Sequence, residues 1–228
     1  MPAEVIIVLV APAIRVGRRS GRPPRADALL LRERILKSAT ELFLDQGYGS
    51  TTIEAVAARA GVSKRTFYDR FDDKSVLFAA VVHRIIEQIR PPADVPLLAG
   101  ADLRSVLRRL AGLILRATLS PQAMALHRLV AAESARFPQL ALAVENDGGT
   151  EEATNLIGGL LARELPGANV GLKSSAFAAQ QFIHMVATVP QRRAMGYGTP
   201  MSAAELDAWA IDVVTLFLDG YQGLSSND

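Results

Sequence analysis

Apolar residues recur at three- and four-residue steps along nearly the whole chain, and no run alternates with period two for long enough to make a convincing strand. This spacing restricts the chain to helices packed on helices, so the expected fold class is all-α. Half of the 228 residues are apolar and 21% are charged, which supplies a sizeable core and argues against global disorder. There is no cysteine, which removes disulfide scaffolds and thiolate metal sites. His83, His127 and His184 lie far apart and show no Glu-x-x-His or His-x-x-x-His spacing, so a di-iron bundle or zinc-hydrolase helix is not expected. The sequence calls for no metal and no cofactor.

Punctuation divides the pattern. Leu31, Ile35, Ala39, Leu42 and Phe43 share one face of a first helix, with Asp27 ahead of it as a cap and Gly47 behind it as a left-handed stop. Thr51 and Glu54 have capping-box spacing for a short second helix with Ile53, Val56 and Ala57 inward, ended by Gly61. Ser63 caps a third helix through Phe71, and Asp72 or Asp73 a fourth from Lys74 to about Ile89, stopped by Pro91 and Pro92. Pro91–Gly100 has the composition of a linker. Helical patterns resume over Ala101–Leu119, Pro121–Phe137, Gln139–Val144, Glu151–Leu165, Leu172–Val189 and Ala203–Tyr221, the last opened by a Ser202/Glu205 capping box. The expected organisation is an extension over 1–28, a helical domain over 29–90, a linker over 91–100 and a second helical domain over 101–221.

Charge separates the two halves. Through Arg90 there are 15 basic and 10 acidic residues, and from Pro91 onward 10 and 13. The basic excess is densest at Arg15, Arg18, Arg19, Arg22 and Arg25, a stretch with no acid in it. Ahead of it, the apolar run Val5–Val10 is far short of the roughly 20 residues a spanning helix needs. Its arginines follow where a signal peptide needs them in front. Met1–Ile14 is expected to be a disordered or loosely docked extension, and the chain a cytoplasmic protein with no membrane partner.

The segment that carries chemistry is TIEAVAARAGVSKRTFYDRF, Thr52–Phe71: two short helices about a glycine turn, with Ala57, Ala58 and Ala60 small enough for close approach. The second helix exposes Lys64, Arg65, Thr66, Tyr68, Asp69 and Arg70 while Val62 and Phe67 point inward. A positive, hydrogen-bonding helix held by a small scaffold suits the major groove of double-stranded DNA. The plainer reading of the same residues is a solvated amphipathic helix.

GRPPR and LRERILKSATELFLDQGYGSTTIEAVAARAGVSKRTFYDRFDDKSVLFAAVV, covering about Arg22–Val82, resemble the amino-terminal domain of TetR-type transcriptional regulators. The pieces I-L-x-x-A, L-F-x-x-x-G-Y, T-T-x-x-x-V-A, A-G-V-S-x-x-T-x-Y and F-x-x-K-x-x-L stand in family order. LHRLVAAESARFPQLAL, Leu126–Leu142, is similar to the AefR-like type of ligand domain. The resemblance implies that Thr51 and Thr52 touch phosphate, and that Lys64 and Arg65 reach base edges or phosphates. Many family members carry a small residue at the place of Arg65, so an arginine there implies a different operator. Reading guanine, it would be worth about 1–3 kcal/mol of discrimination. Thr66 and Tyr68 would grip the backbone, Asp69 accept from a cytosine amine, and Arg70 and Lys74 meet phosphate. Phe67, Phe71 and Tyr48 read as core. Arg18, Arg19, Arg22 and Arg25 would form an arm following the minor groove, or a tail drawn to phosphates without fixed geometry.

The resemblance further implies a homodimer joined by the last two helices, through stripes that include Phe177, Gln181, Trp209, Val213, Leu216 and Phe217. These stripes can also be internal core. A ligand cavity would be lined by Leu107, Leu115, Met124, His127, Leu156, Leu160, Phe182 and Met185, whose composition suits a small hydrophobic or amphipathic effector. Glu133 and Arg136 read as an ordinary helix ion pair. The expected function is a one-component, non-enzymatic regulator, most simply a ligand-released repressor on a palindromic operator. The competing classes are an architectural or non-specific DNA-binding protein, which would not need the large apolar second domain, and a small helical enzyme, whose nucleophile–base or metal constellation is missing from the spacing.

Overall fold

The computed structural model describes residues 25–90, 102–147, 149–164 and 172–220. These residues form ten helices and no strand: α1 (Arg25–Gln46), α2 (Ile53–Ala60), α3 (Lys64–Tyr68), α4 (Lys74–Ile89), α5 (Leu103–Thr118), α6 (Pro121–Glu133), α7 (Gln139–Glu145), α8 (Gly149–Glu164), α9 (Leu172–Ala194) and α10 (Ala203–Asp219). The all-α expectation holds. Arg18, Arg19 and Arg22, and the linker over 91–100, lie outside the described residues; Arg25 opens α1, so residues 25–28 are helix and not part of an extension.

Local signals set most boundaries. Gly47 takes φ 87° and Gly61 φ 64°, left-handed values that a side chain would resist, and both stand where a helix ends and the chain turns. Ser63, Asp73, Asp102, Ser120 and Ser202 each accept a backbone N–H of the helix that follows. Ser202 and Glu205 form the expected reciprocal box. Helix α3 stops at Tyr68, short of the expected Phe71, and α6 at Glu133, short of the expected Phe137, and other boundaries differ as well. The cap of α2 is Thr52, whose hydroxyl accepts from Ala55 N, and not Thr51. Asp27 lies inside the first turn of α1, where its charge suits the helix dipole, and not ahead of it. Helix α9 runs on past Val189 through Pro190 to Ala194. A proline costs a helix its i→i−4 bond, but Pro190 is buried, so packing holds the turn together.

Two apolar cores form, and they do not divide where the linker does. The first gathers Ile35, Phe43, Tyr48, Val56, Phe67, Phe71, Leu77, Phe78 and Ile85 from α1–α4 with Leu126, Leu129 and Leu140 from α6 and α7. Its centre is aromatic: Phe43, Tyr48 and Phe78 meet with centroids 5.4–5.5 Å apart, and Phe137 closes on Tyr48 at 5.0 Å. The second core joins α5, α8, α9 and α10 through Leu107, Leu115, Ile157, Leu160, Phe182, Val186, Val213 and Val214. Helices α6 and α7, which follow the linker in sequence, therefore pack with the amino-terminal helices.

Candidate nucleic-acid interface

Helices α2 and α3 are the two arms of the turn read from the sequence. Val62 N donates to Ala57 O at 2.9 Å and Gly61 N to Ala58 O at 3.1 Å, so the carbonyls at the end of α2 are satisfied by the turn itself. The guanidinium of Arg34, on α1, donates to the carbonyls of Ala60 and Gly61 and fixes the turn from behind. Ser63 Oγ accepts from Thr66 N at 3.1 Å and shares a 2.8 Å hydroxyl–hydroxyl bond with Thr66. Phe67 is fully buried and Phe71 nearly so, which locks the rotation of α3 and decides which side chains remain outside.

Those outside are Lys64, Arg65, Tyr68 and Asp69, with Thr66 and Arg70 half-buried. Tyr68 is 49% exposed and rests edge-on against Phe67. Arg70 Nη1 donates to Thr66 O at 3.2 Å. Lys64 Nζ pairs with Glu54 Oε1 at 2.6 Å across the two helices. The hydrogen bond between them raises the Lys64 ammonium above, and lowers the Glu54 carboxyl below, their ordinary pKa values. Both ends of that pair face solvent, so a phosphate can replace the carboxylate without burying a charge. Arg65 makes no ion pair among the described residues. Thr52 is exposed and accepts from Ala55 N at 3.1 Å, which leaves its own O–H to donate outward. The side chain of Arg25 lies outside the described residues.

Two assigned residues are turned inward. Thr51 is 1% exposed and its hydroxyl donates to Gly47 O at 2.7 Å, so it braces the α1–α2 turn and has no surface to offer a phosphate. Lys74 Nζ donates to Tyr48 O at 2.8 Å and Thr51 O at 2.9 Å and lies 4.3 Å over the Tyr48 ring. Burial lowers its pKa below the usual lysine value. Its ammonium is committed to the same turn, which corrects the phosphate role read from the sequence.

In the carboxy-terminal half, Leu107, Leu115, Met124, Leu160 and Phe182 are buried and Met185 is half-buried. His127 is on the exposed face of α6 and Leu156 is 40% exposed on α8, so neither lines an interior space within the chain. An open cleft of about 390 Å³ lies elsewhere, between α1 and α2, with Arg34, Lys37, Glu41 and Arg59 on its walls; this charged lining is not the apolar cavity expected. The dimer stripe divides. Phe177 (63% exposed), Gln181 and Leu216 face outward. Val213 is buried, Phe217 packs on Phe182 with centroids 5.1 Å apart, and Trp209 donates from Nε1 to Val186 O at 3.0 Å, so these three belong to the chain's own core. Glu133 makes its hydrogen bonds to the backbone of Tyr48 and Gly49, not the expected pair with Arg136, which lies over the Phe137 ring at 5.1 Å.

Among the described residues no cluster of acidic and histidine side chains could hold a metal ion, and no helix is long and apolar enough to cross a membrane. Residues 35–81 match the family model for bacterial regulatory proteins of the tetR family, and residues 105–223 the model for the C-terminal domain of AefR-like transcriptional repressors. The HTH-type transcriptional activator FasR of Mycolicibacterium smegmatis is 35% identical over 92 residues, which is 40% of this chain and 41% of that protein. The HTH-type transcriptional regulator TcmR of Streptomyces glaucescens is 35% identical over 106 residues, 43% and 47% of the two chains. The chain thus spans less than half the length of these relatives. A tetR-family regulator from Mesorhizobium loti superposes with a TM-score of 0.68 at 28% identity, covering 84% of this chain and 96% of that one. A flavonoid-responsive regulator, FrrA, superposes with a TM-score of 0.69 at 28% identity, covering 83% and 96%. The chain belongs to the TetR family of bacterial transcriptional regulators, with a carboxy-terminal domain of the AefR-like kind.

Proposed function

We propose that this protein is a one-component cytoplasmic regulator that binds a palindromic DNA operator as a homodimer and is released from it by a small hydrophobic or amphipathic effector. The observation that carries the reading is the outer face of α3. Lys64, Arg65 and Tyr68 stand exposed on a helix whose rotation is locked by Phe67 and whose amino end is capped by Ser63. Such a face can reach base edges, while the outward O–H of Thr52 meets the backbone. Phe177, Gln181 and Leu216 supply an outward stripe on α9 and α10 for a two-fold contact, which would set two α3 helices one DNA turn apart, about 34–36 Å. The buried side chains between α5, α8 and α9 suit an apolar effector that opens space among them.

The test is fluorescence anisotropy on a palindromic duplex obtained by site selection with the protein, against a scrambled duplex, across a salt series. Preference by a factor of about 10³ or more at physiological salt is the expected result. Equal, steeply salt-dependent binding to both duplexes would reduce the protein to a non-specific DNA binder.

A further inference from the structure

The turn between α1 and α2 is held from both of its polar sides. Glu133, the last residue of α6, accepts from Tyr48 N with Oε1 and from Gly49 N with Oε2, both at 2.7 Å. From the other side, the Lys74 ammonium takes the carbonyls of Tyr48 and Thr51. Glycines flank the carboxylate for a steric reason. A Cβ on Gly47 would stand 2.5 Å from Oε1, and one on Gly49 3.1 Å from Oε2. The turn runs directly into Thr51 and the cap residue Thr52, so whatever fixes the turn also fixes the outward end of α2. Both carboxylate bonds are near their shortest useful length, and a displacement of α6 by about 1 Å breaks them.

We propose that Glu133 is a positioning residue for DNA binding: its carboxylate holds the DNA-facing end of α2 in register with α3, and losing it weakens sequence-specific binding. This rests on the DNA-binding reading above. It also predicts a sign. Replacing Glu133 removes a negative charge, which by long-range attraction alone strengthens binding to any DNA. A positioning role requires the opposite on the selected duplex only.

The experiment compares full-length wild type with Glu133→Gln, which keeps the shape but places an amide donor against one backbone N–H. Hydrogen exchange at the Tyr48 and Gly49 amides of the DNA-free protein is expected to quicken about tenfold or more, as befits loss of bonds to a charged acceptor, with the amides of α4 unchanged. Affinity for the selected duplex is expected to fall about tenfold, while affinity for the scrambled duplex holds or rises. Unchanged exchange, or quickened exchange with undiminished specific affinity, overturns the proposal. Wild type that does not distinguish the duplexes sinks the regulator reading first, and the exchange data then stand apart from it. If Glu133→Gln does not fold, Glu133→Asp keeps the charge but draws it back by one methylene, and the same two readouts decide.

Discussion

Helices α6–α8 grip the amino-terminal helices at two places, and the two are built differently. At the α1–α2 turn the grip is a carboxylate on backbone: Glu133 takes two N–H groups, and Phe137 packs on Tyr48 beside them. Along α4 the grip is side chain on side chain. His83 Nδ1 lies 3.0 Å from Asp147 Oδ1, and Arg90, the residue that ends α4, pairs at 2.9 Å with Glu152 on α8 as well as with Glu87 on α4. The ends of the Arg90 pairs are 38–63% exposed, where such contacts contribute about 0–1 kcal/mol and fade with salt. The first grip reads the main chain and allows one geometry. The second is mixed: Arg90, Glu87 and Glu152 are long, solvated side chains that can follow a sliding helix, whereas the short Asp147 side chain opposite His83 is only 5% exposed. The difference assigns stiffness to the turn and tolerance to the Arg90 end of α4.

The sharpest way to break the contrast is Gly47→Ala. The residue sits at φ 87° and its new methyl group would collide with Glu133, so both backbone strain and loss of the carboxylate bonds follow. We expect a loss of about 2–4 kcal/mol, combining left-handed strain with loss of hydrogen bonds to a charged group, read as the shift in a urea midpoint. Next is Phe137→Ala, which removes the ring on Tyr48 and leaves the carboxylate in place. A fully buried phenylalanine costs about 3–5 kcal/mol, and Phe137 is only half-buried, so about 2 kcal/mol is expected. A cost for Phe137→Ala above that of Gly47→Ala would mean that the ring, and not the carboxylate, carries this attachment.

The helices and the DNA-facing motif were legible because their signals are local. Ser63, Asp73 and Ser202 stand at cap positions, Gly47 and Gly61 at left-handed ends, Phe67 at the inward position of a short helix and Phe71 just past its end. The grip on the turn was not legible. Glu133 meets Tyr48 from 85 residues away, and its nearest sequence neighbour of opposite charge, Arg136, invites the wrong partner. Lys74 fails for a related reason. A lysine opening a helix after a recognition segment looks like a phosphate contact, and only the fold shows the carbonyls of Tyr48 and Thr51 within its reach. Thr51 and Thr52 are adjacent and chemically alike, so only burial separates the brace from the cap. The dimer stripe was half legible, since helical periodicity marks apolar faces without saying which are covered by the chain itself.

Asp73 probes α4 independently of either grip. Its Oδ1 accepts from Ser75 Oγ at 2.6 Å and from the Ser75 and Val76 amides at 2.7 and 2.8 Å, and these bonds lower its pKa below the ordinary aspartate value, the Ser75 side chain most of all. A depressed folded-state pKa means that the contribution is complete above the unfolded value, about 3.9, and is lost as pH falls through the folded one. Asparagine caps comparably but does not titrate in this range. Asp73→Asn is therefore expected to match wild type near pH 7, within about 1 kcal/mol, and to lose less stability than wild type between pH 5 and 3. Parallel acid curves for the two proteins would show that the bonds to Asp73 do not persist in solution.

The smallest effect belongs to Arg90→Ala, and its smallness is the point of the comparison. The side chain makes two ion pairs, one to Glu87 of α4 and one to Glu152 of α8, yet its guanidinium and both carboxylates face water. Attraction in that setting is weakened by solvent and opposed by the entropy of holding long side chains, so the cost is expected within about 0–1 kcal/mol at low salt and near zero at 0.5 M. The apolar contact beneath does not depend on it: Ile85 is fully buried, and Ile86 packs so close to Gly149 that a Cβ there would meet its Cγ2 at 3.1 Å. If chemical denaturation shows a loss above about 2 kcal/mol that salt does not erase, Arg90 is a fixed strut. The α4 attachment is then as stiff as the turn, and the contrast between them collapses.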